Sequence, residues 1–259
     1  MSALRPLSFG ELFDRAVVIC VRHVVPIAVV AGVPFLLWNA AFAYAGGWPD
    51  HREATEAVYV AGRSLIGVLA LAIIAELVSR AALSRPTDLW ACASSITERF
   101  PALLALTGAT FIIQYGAHVL YRAALGARPA YEAVTFVAIG VAIPVALAIC
   151  GVASGLDLSA AVRQSMRLCV RRGGRGRWLV LTAAFYALSY VLGWLDGLVQ
   201  VAVRWSHQDW AFVVWYGLSV AILGVFESVV LALYAVDLRI RFDGLDVEHA
   251  MDALGPVAG

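Results

Sequence analysis

Six stretches of about twenty apolar residues, separated by short arginine-bearing connections, limit what this chain can fold into. A helix of that length, at 1.5 Å per residue, crosses a hydrocarbon core of ~30 Å. The stretches fall at 25–46, 64–84, 101–124, 131–154, 178–203 and 210–236. Backbone polar groups in lipid must be satisfied within their own segment. The expected fold class is therefore all-α: a polytopic membrane helix bundle with six transmembrane helices, in a single integral membrane domain spanning 1–259. Pro34 and Pro144 interrupt two stretches, which membrane helices accommodate with a kink. Trp38, Trp48, Trp178, Trp205 and Trp210 stand near segment ends, where interfacial aromatics belong. Composition agrees. The chain is 62% hydrophobic and 14% charged, against roughly 45–50% and 25% in soluble domains. That leaves too little polar surface to cover a water-soluble globule of this size.

All 19 cationic residues are arginine, a bias that reads as a GC-rich bacterial genome. A net charge of +1 points neither to nucleic acid nor to an acidic partner, so the distribution of charge carries the information. Fourteen arginines lie on one side: Arg5, Arg15, Arg22, Arg80, Arg85, Arg99, Arg163, Arg167, Arg171, Arg172, Arg175, Arg177, Arg239 and Arg241. Five lie on the other: Arg52, Arg63, Arg122, Arg128 and Arg204. The positive-inside rule then places both termini in the cytoplasm, in a bacterial inner membrane. The first 24 residues are mixed polar rather than a short apolar core, so a retained first span is expected instead of a cleaved signal peptide.

The arginine-rich side has a recurrent grammar. Ser8 with Glu11 forms a capping box, and Leu7 with Leu12 is placed for a hydrophobic staple. The helix that follows puts Phe9, Leu12, Phe13, Ala16, Val17 and Cys20 on one face, the pattern of a helix lying in the interface. Asp88, Asp157 and Asp246 open similar amphipathic stretches, so that Ser8 and these three follow one another at successive spacings of 80, 69 and 89. Any such helix favours an acidic cap. The fuller reading is three parallel units, each an interfacial helix followed by a two-span hairpin, in pseudo-threefold order with a fourth helix at the end.

Three segments resemble a known family. They are Arg5-Pro6-Leu7-Ser8-Phe9-Gly10-Glu11-Leu12-Phe13-Asp14-Arg15-Ala16, the central Ala160-Ala161-Val162-Arg163-Gln164-Ser165-Met166-Arg167-Leu168, and Tyr234-Ala235-Val236-Asp237-Leu238-Arg239-Ile240-Arg241 running into Gly244-Leu245-Asp246. Together they resemble the bacterial membrane domain that precedes some glycerophosphoryl diester phosphodiesterases. The resemblance implies a six-helix membrane module. It does not imply phosphodiesterase activity, because no catalytic barrel follows in these 259 residues.

Candidate functional residues fall in two groups. Within the spans, Glu76 and Glu227 sit eight or nine residues from the ends of their apolar runs, close to the midplane, where a carboxylate must be protonated, paired or in a wet cavity. Asp196, beside Gly193 and Gly197, and His118 are further intramembrane polar candidates, read first as helix-to-helix contacts with Arg63 or Arg204 neutralising the acid. On the arginine-rich side, Arg163, Arg167 and Arg171 form one stripe at helical spacing, extended by Arg172. Asp237, Arg239 and Arg241 are expected to join the loop arginines in a polar cluster. Such arginines suit anionic lipid headgroups, a protein partner or a second copy.

Cys20, Cys92, Cys150 and Cys169 lack the CxxC or Cys/His spacing of a metal site, so free thiols are expected, with no metal and no cofactor. HExxH, GxSxG, Walker and GxGxxG sequences are absent. The leading expectation is a non-enzymatic membrane module, an accessory subunit or lipid-interacting scaffold. The alternative is a small secondary transporter working through Glu76 and Glu227.

Overall fold

A computed structural model of the chain describes residues 6–44, 53–82, 87–123, 128–171, 174–206 and 209–243. Those residues are helical almost throughout, with no strand among them. In order they form α1 (Phe9–Arg22), α2 (Val24–Ile27), a π-helical turn (Ala28–Gly32), α3 (Val33–Tyr44), α4 (Glu53–Ala82) and α5 (Leu89–Thr97). There follow α6 (Phe100–Ala123), α7 (Arg128–Ala153), α8 (Leu158–Val170), α9 (Gly174–Ser206) and α10 (Asp209–Asp243). Six segments are long and apolar enough to cross a membrane: Val24–Phe42, Glu56–Ala81, Phe100–Ala123, Ala130–Ala153, Gly174–Val199 and Gly217–Phe242. The chain is a multi-pass, all-α integral membrane protein.

Two spans differ from the apolar runs in the sequence. The second begins at Glu56 rather than at 64, and the sixth continues to Phe242 rather than stopping at 236. In both places charges interrupt the run, yet Glu56 and Asp237 are buried and ion-paired within helices that continue past them. The first span carries the predicted proline irregularity. Pro34 has no N–H for its ladder, and just before it the Val33 N–H donates to Ala28, five residues back instead of four.

Helix packing repeats in rotation. The chain divides into three units: α1 with α2, α3 and α4; α5 with α6 and α7; α8 with α9 and α10. The second spans α4, α7 and α10 pack on one another. Each first span lies against two of them: α3 against α10 and α4, α6 against α4 and α7, α9 against α7 and α10. Each short amphipathic helix sits on the second span of the preceding unit. That puts α5 on α4, α8 on α7, and α1 on α10, which closes the ring. Burial follows the same order, with 33%, 50% and 41% of the α4, α7 and α10 spans inside the bundle against 22%, 17% and 17% of the first spans. The second spans therefore form an inner triad. Buried Ala72, Ala75, Ala146, Ala148, Ala153, Ala221 and Ala232 let its backbones approach, since small residues replace the missing hydrophobic drive between helices in lipid. Large apolar side chains left outside, such as Ile112 on α6 and Leu198 on α9, have the bilayer as their solvent.

The caps fix where each unit begins. Ser8 Oγ accepts from Glu11 N at 3.3 Å while Glu11 Oε2 accepts from Ser8 N at 2.8 Å, completing the capping box. Leu7 and Leu12, the staple pair, are both buried. Asp88 accepts from Trp90 N at 3.4 Å and Ala91 N at 3.1 Å. Asp157 accepts from Ala160 N at 2.7 Å, and this bond together with the Ser159 hydroxyl holds its carboxyl below the usual range. The Asp246 cap and the fourth helix lie outside the described residues. Between α7 and α8 the chain reverses through Gly155 at φ 98°, with Leu156 N–H reaching back to the Gly151 carbonyl at 3.1 Å in a Schellman closure.

Gly155→Ala is expected to lower stability by about 1–2 kcal/mol, because a Cβ is strained at that φ. Gly10→Ala, on a helical glycine with open space at its Cβ position, should be neutral or slightly stabilising. Thermal unfolding of the two variants in one detergent checks the opposite signs.

Candidate functional site

Polar chemistry concentrates where the units meet on the face that carries α1, α5 and α8. The most buried charge there is Asp237, 1% exposed, near the end of α10. Its Oδ1 accepts from the backbone N–H of Leu7 at 2.6 Å. Its Oδ2 pairs with Arg177 Nη2 at 2.8 Å and with Arg241 Nε at 3.0 Å. The same two guanidinium groups donate to the Leu7 carbonyl, at 3.0 and 2.6 Å. Arg177 is also sandwiched by apolar rings, with its guanidinium carbon 4.8 Å from the Phe9 centroid and 6.0 Å from that of Tyr234. A carboxylate taken out of water needs this saturation of its lone pairs. Asp237 and Arg241 come together because four residues is one helical turn. Arg177 comes from the start of α9, and only tertiary packing delivers it.

Arg239, expected in the same cluster, is not part of it. Two residues on a helix are ~200° apart, so Arg239 turns away from Asp237 toward the inner triad. There its Nε is buried without a partner among the described residues.

The two midplane glutamates occupy different settings. Glu76 Oε1 pairs with Arg80 Nε at 2.8 Å, and Arg99 Nη1 stands 4.0 Å from its other oxygen. Arg80 continues to the Ala91 carbonyl on α5 at 3.4 Å, and Arg99 donates to the Ala153 carbonyl on α7. Glu76 thus belongs to the end of its span and stitches α4 to α5, α6 and α7. Glu227 is partly buried on α10, and the charge that acts on it is Arg63. Arg63 and Glu76 share α4 but stand 13 residues apart, roughly 20 Å along the axis. The sequence equated the depths of Glu76 and Glu227 because it ended span six at 236. With α10 running to Asp243, Glu227 lies far deeper than Glu76.

Asp196 accepts from Trp215 Nε1 at 2.8 Å and Ser219 Oγ at 3.2 Å, joining α9 to α10 through neutral donors. His118 Nε2 lies 3.3 Å from Glu56 Oε2, and Arg122 pairs with the same oxygen. Glu56 was missed in the sequence because it precedes the apolar run at 64–84. The signal was there in His118 and Arg122, a basic pair at i,i+4 near the same end of span three.

On α8 the stripe of arginines lines an open groove of about 800 Å³, with Arg163, Arg167 and Arg171 along it and Leu156, Leu168 and Phe242 among its apolar walls. Arg163 Nη2 donates to Ser159 Oγ at 3.1 Å. The Arg171 guanidinium lies 5.4 Å from the Phe242 ring centroid and donates to that residue's carbonyl at 3.4 Å. Arg172 lies outside the described residues. Beside the stripe, Val162, Met166 and Val170 form a parallel exposed row, while Ala161, Ser165, Leu168 and Cys169 face the bundle. Burial raises the Cys92 thiol above its ordinary value and pushes Cys169 up to about 11, leaving both protonated and unreactive at neutral pH. Among the described residues no group of three or more His, Cys, Asp or Glu could hold a metal ion.

No family model, curated protein or solved structure matches the chain. The fold and its polar groups define the class directly: a six-span helical membrane protein with three hairpin units in cyclic order.

Asp237→Ala should cost about 3–5 kcal/mol, since it strands two guanidinium groups in a buried site. The loss should appear as a lower melting temperature. Faster amide exchange at Leu7 and through α1 should accompany it, because the carboxylate anchors that segment.

Proposed function

We propose that this protein is a non-enzymatic module of the bacterial inner membrane, with both termini cytoplasmic, that binds anionic lipid headgroups through α8. The observation that carries the reading is the paired surface of that helix. Arg163, Arg167 and Arg171 line a solvent-open groove, and Val162, Met166 and Val170 run exposed beside them. An apolar row next to a cationic row suits a helix at the level where acyl chains give way to headgroups, with arginines reaching outward along their aliphatic stems. Arginine also offers the planar fork that matches a phosphate. The exposed Trp90 on α5, 81% accessible, adds an interfacial anchor of the same kind in the neighbouring unit. An accessory role is also what the resemblance of the three sequence segments would imply. A protein partner or second copy would have to compete for the same groove.

Each arginine is expected to contribute ~1 kcal/mol toward an anionic surface, about a fivefold effect. The triple variant Arg163→Gln, Arg167→Gln, Arg171→Gln should therefore weaken phosphatidylglycerol binding by up to about 100-fold and leave binding of phosphatidylcholine unchanged. Titration of the purified protein with each lipid in neutral detergent, followed by native mass spectrometry or thermal shift, measures this. Equal loss for both lipids, or none, would remove the proposal.

Orientation has its own check. A fluorescent protein fused after Gly259 should fluoresce in bacterial cells, while alkaline phosphatase at the same point should stay inactive. The reverse pattern would put the arginine-rich face outside.

A further inference from the structure

Two of the three inner helices end in the same device. On α10, Asp237 has Arg241 four residues on and receives Arg177 from α9. On α4, Glu76 has Arg80 four residues on and receives Arg99 from the start of α6. At the matching end of α7 stand Cys150 and Ser154, the serine hydroxyl donating to the Cys150 carbonyl at 2.8 Å. Backbone bonds mark the level. Leu7 N–H, one residue before the cap of α1, donates to Asp237. Leu156 N–H, one residue before the cap of α8, donates to the carbonyl of Gly151, next to Cys150. The middle unit, which ends in α7, has the same architecture without the acid.

A hollow lies where that acid is missing. A small cavity of about 20 Å³ lies between α4, α7, α8 and α10, with Ser79, Cys150, Ser154, Gln164, Ser165 and Arg239 in its wall. Among the described residues no acidic side chain lines it. Arg239 also lines it, and its Nε is buried and meets no partner among the described residues. The neighbouring acids are already engaged, Asp237 by Leu7, Arg177 and Arg241, and Glu76 by Arg80. A guanidinium remains charged at any pH a cell experiences, and a buried charge without a counter-charge is costly. About 10–15 Å³ suffices for one water. The space admits a water or a monatomic anion.

We propose that this cavity is a binding site for a halide-sized inorganic anion, held by the Arg239 guanidinium and the Ser79 hydroxyl. The anion takes the place of the carboxylate that Glu76 and Asp237 supply in the other two units. It fastens α10 to α4, α7 and α8 at the centre of the inner triad. This site is separate from the arginine groove, so the lipid reading and the anion reading succeed or fail independently.

The test melts the full chain in neutral detergent with chloride, bromide, sulfate or gluconate at matched ionic strength. Chloride and bromide should raise the melting temperature by a few degrees over gluconate, saturating with concentration as a single site does. Arg239→Met should abolish the difference. Cys150→Asp, which brings the missing carboxylate on the chain itself, should also abolish it while raising stability in gluconate. Arg163→Gln on the outer groove should retain the full halide effect. Identical melting in all four salts would overturn the proposal and leave water as the occupant. So would a halide effect that survives Arg239→Met, or a larger effect of sulfate than of chloride. If Cys150→Asp fails to fold, the Arg239→Met comparison decides alone.

Discussion

A single carboxylate closes the ring of helices. Asp237 sits at the end of the last span yet takes the backbone N–H of Leu7, ahead of the first helix, and draws Arg177 and Arg241 around the Leu7 carbonyl. Units one and three lie at opposite ends of the sequence, so no chain connection holds them together. In lipid there is no hydrophobic drive between apolar helix faces, and van der Waals packing plus buried polar contacts must do that work. The Asp237 cluster supplies the directional part. It fixes the seat of α1 on α10.

Around this closure the structure is a threefold arrangement with unequal units. Small residues allow the inner triad to pack closely, and capped amphipathic helices cover the preceding unit's second span. Equal packing does not require equal chemistry. The acid at the end of α10 is nearly inaccessible, the one at the end of α4 is partly exposed, and α7 has a thiol and a hydroxyl instead. Where repeated units diverge while the packing stays constant, the divergence marks the places at which a ligand or partner can enter.

The polar groups inside the spans argue against one shared transport site. Glu76 is committed to Arg80 and the helices around it, Glu227 answers to Arg63, and Asp196 is satisfied by Trp215 and Ser219. Glu76 and Asp196 are matched locally, as expected where an unmatched charge would face hydrocarbon. What is left open to solvent and lipid is the surface of α8, with arginines on one row and apolar side chains on the next.

Much of this was legible in the sequence. The six apolar runs pointed to an all-helical membrane protein, because a continuous apolar run of about twenty residues satisfies its own backbone in lipid as a helix. Ser8, Asp88 and Asp157 announced the three short helices, and their spacing announced the repeat, since caps are local chemistry between residues three positions apart. The i,i+4 pairs Asp237–Arg241 and Glu76–Arg80 were likewise within reach of helical periodicity. Tertiary structure alone decided which helix meets which. It brought Leu7 to Asp237 across 230 residues of chain, and Arg177 to it from the start of α9. It joined Glu56 to His118 and Arg122, turned Arg239 into the inner triad, and set Glu76 and Glu227 at different depths. Sequence patterns report which groups share a face of one helix, whereas the partner across the gap depends on the rotation and depth at which separate helices pack.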